Sequence, residues 1–202
     1  MNKVLAIIIA LLPLITMGQT TVCIGQFHGK DVFVVMKKNS NKPDYVRIPI
    51  NTSDAKDACF HVKMGDVSKL RGNIFEARMK FKEWVKVADE NNVADFSKDM
   101  PTKFPWLDLY FLLGDWHFTQ AKIKLTFYKK DGRCYARYAD GVHKFGNQYI
   151  TAYVTYTFEG EDDFTEWLDV LSHDNIQAKL AESTNYNMDT KTNEVNYDKL
   201  FN

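Results

Sequence analysis

The sequence predicts an α+β fold: antiparallel β-sheet packed with one long central helix and shorter C-terminal helices. Three observations carry the prediction. Val67, Leu70, Ile74, Ala77, Phe81, Trp84 and Ala88 recur at helical spacings of three and four. Asp131-Gly132, the strongest short hairpin signal, lies between two alternating segments. Gln148–Phe158 alternates again and leads into a helical pattern.

Met1–Gly18 comes first along the chain. Lys3 precedes an apolar run from Val4 to Met17, and Thr16 and Gly18 are small. This is the pattern of a secretory signal peptide, too short to span a bilayer comfortably as a helix. Cleavage is expected between Gly18 and Gln19. Cys23 follows closely, but Thr20 and Val22 fit a lipoprotein sorting signal badly, so the expected product has no membrane anchor.

Residues 21–64 read as short strands. Val32–Met36 follows the turn His28-Gly29-Lys30-Asp31, and residues 39–44 form a loop. Tyr45–Ile50 alternates, with Val46, Ile48 and Ile50 on one face and Tyr45 and Arg47 on the other; Pro49 points to an edge strand or one that stops early. Cys59–Met64 is a further strand. Asp66 is the expected N-cap of the long helix, and Asn91-Asn92 its end. Gly72 within it costs about 1 kcal/mol against alanine.

Val93–Trp106, with two prolines, reads as a connector, and Leu107–Leu113 as an apolar strand. His117 starts another after Gly114-Asp115. Around the Asp131-Gly132 turn, Ile123, Leu125 and Phe127 share a face with Cys134, Ala136 and Tyr138. The two-residue loop sets Phe127 opposite Ala136, Leu125 opposite Tyr138, Tyr128 opposite Tyr135 and Thr126 opposite Arg137. Along Gln148–Phe158, Ile150, Ala152, Val154 and Phe158 face inward, while Tyr149, Thr151, Tyr153, Thr155 and Thr157 face outward. Phe164, Trp167, Leu168 and Leu171 mark a helix, and Asp174 is placed to cap a second through Ile176, Ala178 and Leu180. The division expected is therefore signal 1–18, one α+β domain over 19–182, and a polar, mobile tail over 183–202.

Phe81, Glu83, Trp84, Val87, Asn92 and Val93 echo Phe164, Glu166, Trp167, Val170, Asn175 and Ile176 in order and spacing. The strands upstream show no matching correspondence, so two helices independently using a Phe and Trp core face explain the echo better than duplication.

Composition restricts function by exclusion. Losing residues 1–18 of 202 leaves 184, with 25 basic side chains facing 26 acidic ones. That balance gives no case for nucleic acid. Lys37-Lys38 and Lys129-Lys130 flank expected strand ends, where solvated charge blunts an edge. Cys23, Cys59 and Cys134 allow at most one intrachain bridge, in any of three pairings. No zinc spacing, P-loop, Gly-x-Gly-x-x-Gly, Gly-x-Ser-x-Gly or His-Glu-x-x-His pattern is present, and neither a metal nor a cofactor is expected.

Asp115 and His117 share a strand face and are the weak candidates for a catalytic pair, although a turn-flanking hydrogen-bonded pair is the plainer reading. His28, His61 and His143 have no neighbour that forces a ligand role. Cys134 belongs to the core by register. Glu83 and Glu166 read as solvated. The remaining candidates are aromatic: Tyr128, Tyr135, Tyr149 and Tyr153 on outward strand faces, with Trp106 and Trp116 in adjoining loops. Such side chains stack on sugars or anchor a protein, unless a helix covers them. The expected role is that of an exported, soluble, non-catalytic binding protein of the bacterial periplasm or cell exterior, taking a protein or carbohydrate ligand. The alternative is a hydrolase of envelope or extracellular polymers using Asp115 and His117.

Overall fold

Short turns make consecutive strands antiparallel neighbours. In the first hairpin, β1 (Thr21–Phe27) and β2 (Lys30–Met36) are joined by His28 and Gly29, whose φ values of 48° and 73° match the strand twist. The chain continues through β3 (Pro43–Pro49), β4 (Asn51–Thr52), β5 (Ala58–Lys63), α1 (Met64–Glu90), β6 (Phe96–Asp99), β7 (Trp106–Leu113) and β8 (Asp115–Lys122). After β9 (Thr126–Lys130), β10 (Arg133–Phe145) and β11 (Gln148–Phe158) come α2 (Glu161–Val170) and α3 (His173–Thr192). The computed structural model describes residues 20–40, 42–145 and 148–192, with side chains for 20–40, 42–141 and 152–183.

Two antiparallel sheets form. One has six strands in the order β1-β2-β3-β5-β7-β8, the other five in the order β4-β11-β10-β9-β6. β3 lies inside the larger sheet; Pro49 ends it without placing it at an edge, since the missing N–H falls at the last residue. β6 emerges from the expected connector because its polar Ser97 and Lys98 take their order from pairing with β9, not from apolar pattern. Ile123 and Leu125 are buried as expected, yet strand pairing resumes only at Thr126. Residues 123–125 carry the chain from one sheet to the other.

α1 extends about 40 Å and buries Val67, Leu70, Ile74, Ala77, Phe81 and Ala88, the first five in a core to which both sheets contribute. β5 runs directly into it, so Lys63 is the N-cap with no side-chain bond. Asp66 sits instead in the first turn, where its charge meets the positive helix end. At the far end Asn91 Nδ2 donates to the Val87 carbonyl at 2.8 Å, and Asn92 adopts φ 47°.

The echoed helices meet at Phe81 and Phe164, with ring centroids 5.4 Å apart. Trp167 is buried: it stacks on Phe27 at 4.6 Å, and its Nε1 donates to Tyr156 Oη at 2.7 Å. Trp84 is only half-buried, edge-on to Phe127, with Lys98 Nζ 5.1 Å from its ring centroid. The expectation of two equivalent core tryptophans therefore holds for Trp167 alone.

The Asp131-Gly132 turn has φ 50° and 75°, and the pairs Phe127–Ala136, Tyr128–Tyr135 and Thr126–Arg137 form as expected. Cys134 is half-buried rather than core, because it pairs with Lys129 one step from the exposed turn. Ser172 Oγ, not Asp174, caps α3 by accepting the Asn175 N–H. α3 then runs to Thr192, ten residues beyond the expected domain end at 182. Asn175 Nδ2 donates to the Ile24 carbonyl at 2.8 Å, and Gly25 leaves room for Val170, whose Cγ2 would lie 2.7 Å from any Cβ there.

Candidate functional site

Strand alternation gives the six-stranded sheet two unlike faces. Val46, Ile48, Phe60, Val62, Leu109 and Phe111 join the core; their neighbours in sequence point away from it. Register then places outward residues in rows. Cys23, Phe33, Arg47, His61, Asp108 and Gln120 form one row across all six strands, and Pro49, Cys59, Tyr110 and Phe118 form the next.

Within this grid the rings stack in series. Centroids lie 4.2 Å apart for Tyr45 and His61, 4.1 Å for His61 and Tyr110, and 5.0 Å for Tyr110 and Phe118. Beside the ladder, Arg47 Nε donates to Cys59 Sγ at 3.3 Å and its terminal nitrogen pairs with Asp57. Burial pushes the Cys59 thiol up to about 11, with Arg47 opposing the shift. Burial, then Arg47, pushes His61 down to about 3. Tyr45 and Tyr110 are raised, first by burial. Burial therefore works against a nucleophilic thiol at Cys59 and a general base at His61.

Phe118, the last ring of the ladder, is 47% exposed; Trp106, 64% exposed, and half-buried Trp116 flank the ladder on the same face. Both tryptophans are strand residues of β7 and β8, not loop residues as expected. They share a face because Trp106 pairs with Lys122 and Trp116 with Leu112.

The tyrosines singled out from sequence lie on the other sheet. Tyr128 and Tyr135 stack at 5.0 Å, whereas Tyr153, 43% exposed, stands apart on β11. Tyr149 pairs with Lys144 by backbone register, and its side chain lies outside the described residues. The six aromatic candidates are thus divided between two sheets. Asp115 is exposed at the start of β8, while His117 bonds through Nε2 to the Leu113 carbonyl at 3.1 Å and packs on Phe111. Among the described residues, no group of three His, Cys, Asp or Glu side chains is placed to hold a metal ion.

All three cysteines are free thiols. Cys23 and Cys59 are three strands apart, roughly 14 Å at the usual strand spacing, which no disulfide spans. Sequence reasoning missed Tyr45, His61, Tyr110, Phe118 and Arg47. Only the placement of Tyr45 and Arg47 on one outward face hinted at them. No protein-family model, curated protein or solved structure matches this chain.

Proposed function

We propose that this chain is an exported, soluble, non-catalytic binding protein that holds a protein or carbohydrate ligand on the outward face of its six-stranded sheet. The observation that carries the reading is the ring ladder Tyr45–His61–Tyr110–Phe118 on a broad sheet face, with Trp106 and Trp116 on the same side. Trp, Tyr and Arg are the residues that dominate binding energy at recognition surfaces. Export is supported by Met1–Gly18 and by the position of β1, which begins two residues after Gln19. Acylation at Cys23 would require cutting before it and would remove Val22, a core residue paired with Val34. No helix among the described residues is long and apolar enough to cross a membrane.

The test is a glycan array and a cross-linking search with the chain from Gln19 onward, comparing wild type with Phe118→Ala and Trp116→Ala. Loss of a retained ligand by tenfold or more, with circular dichroism unchanged, is the expected result. Unaltered binding in both variants, alongside loss in Tyr128→Ala or Tyr135→Ala, would move the site to the other sheet.

A further inference from the structure

Antiparallel order brings the start of β1, the β2–β3 loop, the end of β5, the start of β7 and the end of β8 to one end of the six-stranded sheet. Lys37, Lys38, Lys42, Lys63, Lys103, Lys122 and Lys124 all lie there and all are exposed. Lys124 pairs with Asp99; the other six make no ion pair among the described residues. Asp44, Asp66 and Asp99 are the acidic side chains at that end, and Asp108 lies two residues inside the start of β7. The opposite end carries Asp31, Asp54, Asp57 and Asp115 against Lys30 and Lys56. A chain with 26 basic and 26 acidic residues overall is therefore polarised along its larger sheet.

We infer that the lysine-rich end, with Trp106 at its margin, binds an anionic polysaccharide. This rests on the binding reading above and names its ligand class. Three features point to that occupant. From β2 to β8 the lysines span four strand spacings, roughly 19 Å, which suits a linear polymer better than a small anion. A Lys37 N–H to Lys42 carbonyl bond of 2.8 Å closes the loop that presents three of them. Trp106, 64% exposed, offers an aromatic surface at the level of Lys63 and Lys122. All seven cations are lysines. They act as point charges for carboxylate or sulfate groups spaced along a polymer, whereas forked recognition of phosphates and bases favours arginine.

Binding would be measured by calorimetry on the chain from Gln19 onward against polygalacturonate, dextran sulfate, neutral dextran and single-stranded oligothymidylate. Either anionic polysaccharide should bind and dextran should not, with affinity falling roughly tenfold or more between 50 and 200 mM salt. Lys37→Glu with Lys38→Glu, and separately Lys63→Glu with Lys122→Glu, should each weaken binding about tenfold. The same charge change at Lys86 and Lys179 should leave it within twofold. Trp106→Ala should weaken it without altering the salt dependence. No binding to either polyanion, equal loss from the control reversal, or tighter binding of the oligonucleotide would overturn the inference. A neutral glycan or protein held through Phe118 and indifferent to the lysine reversals would overturn it too, while leaving the aromatic face as the binding surface.

Discussion

On the six-stranded sheet, rings from four neighbouring strands contact one another in series beside a thiol and an Arg47–Asp57 pair; on the five-stranded sheet, Tyr128 and Tyr135 stack as a single pair among the described residues. Tyr153 lies roughly 20 Å farther along the strands of that second sheet. Both faces consist of outward residues on antiparallel strands, and both draw on tyrosine. They differ in what the rings do to their neighbours. Tyr128 and Tyr135 are half-buried as a pair, whereas beside the ladder burial holds both His61 and Cys59 towards their neutral forms. An aromatic surface becomes a distinct chemical environment only when several strands contribute to it.

The largest expected effect breaks both sheets at once. Trp167 stacks on Phe27 of the larger sheet and bonds Tyr156 of the smaller, so Trp167→Ala should cost about 3–5 kcal/mol in urea unfolding. Trp84→Ala, half-buried edge-on to Phe127, should cost no more than about half as much. Equal losses would contradict the inequality of the two helices.

Acid titration separates the faces next. His61 is held near 3 in the folded chain against 6.5 when unfolded, so below pH 6.5 the unfolded state takes up a proton that the native state refuses. Stability should fall as pH drops from 6.5 towards 3, by up to about 1.4 kcal/mol per pH unit from this residue. His61→Phe should flatten that part of the curve, while Tyr128→Phe should leave it unchanged. A double-mutant cycle on Tyr128 and Tyr135 should return about 0.5–1.5 kcal/mol of coupling. The same cycle on Tyr45 and Tyr110 should show coupling that vanishes in a His61→Ala background, because His61 is the ring between them. Thiol labelling gives the smallest perturbation: Cys23 should react first, half-buried Cys134 later, and Cys59 only on unfolding.

The smaller sheet's hairpin was legible because its pairing is local. Asp131-Gly132 dictates the turn, the turn dictates the register, and Tyr128 must then face Tyr135. α1 was legible for a similar reason, since seven apolar residues at helical spacing imply one buried stripe. The ladder was not. Its rings come from β3, β5, β7 and β8, and β5 reaches β7 only across the whole of α1 and β6. Nothing within a short window of sequence shows that His61 will lie between Tyr45 and Tyr110. The same holds for the lysines, which are dispersed as singles and one pair along the chain and converge only once strand order is known.

The bond from Asn175 to the Ile24 carbonyl joins residues 151 positions apart, and Trp167 reaches back to Phe27 in the same way. The first strand of the larger sheet is therefore covered by helices made long after it. While the chain is being synthesised, β1 and β2 can pair, but the apolar surface that Val22, Ile24 and Phe27 present has no cover until α2 and α3 emerge. Such an order of events postpones stable folding of the larger sheet until α2 and α3 have been made. A nascent chain arrested before residue 161 should remain open to protease at β1, although most of both sheets has by then been made.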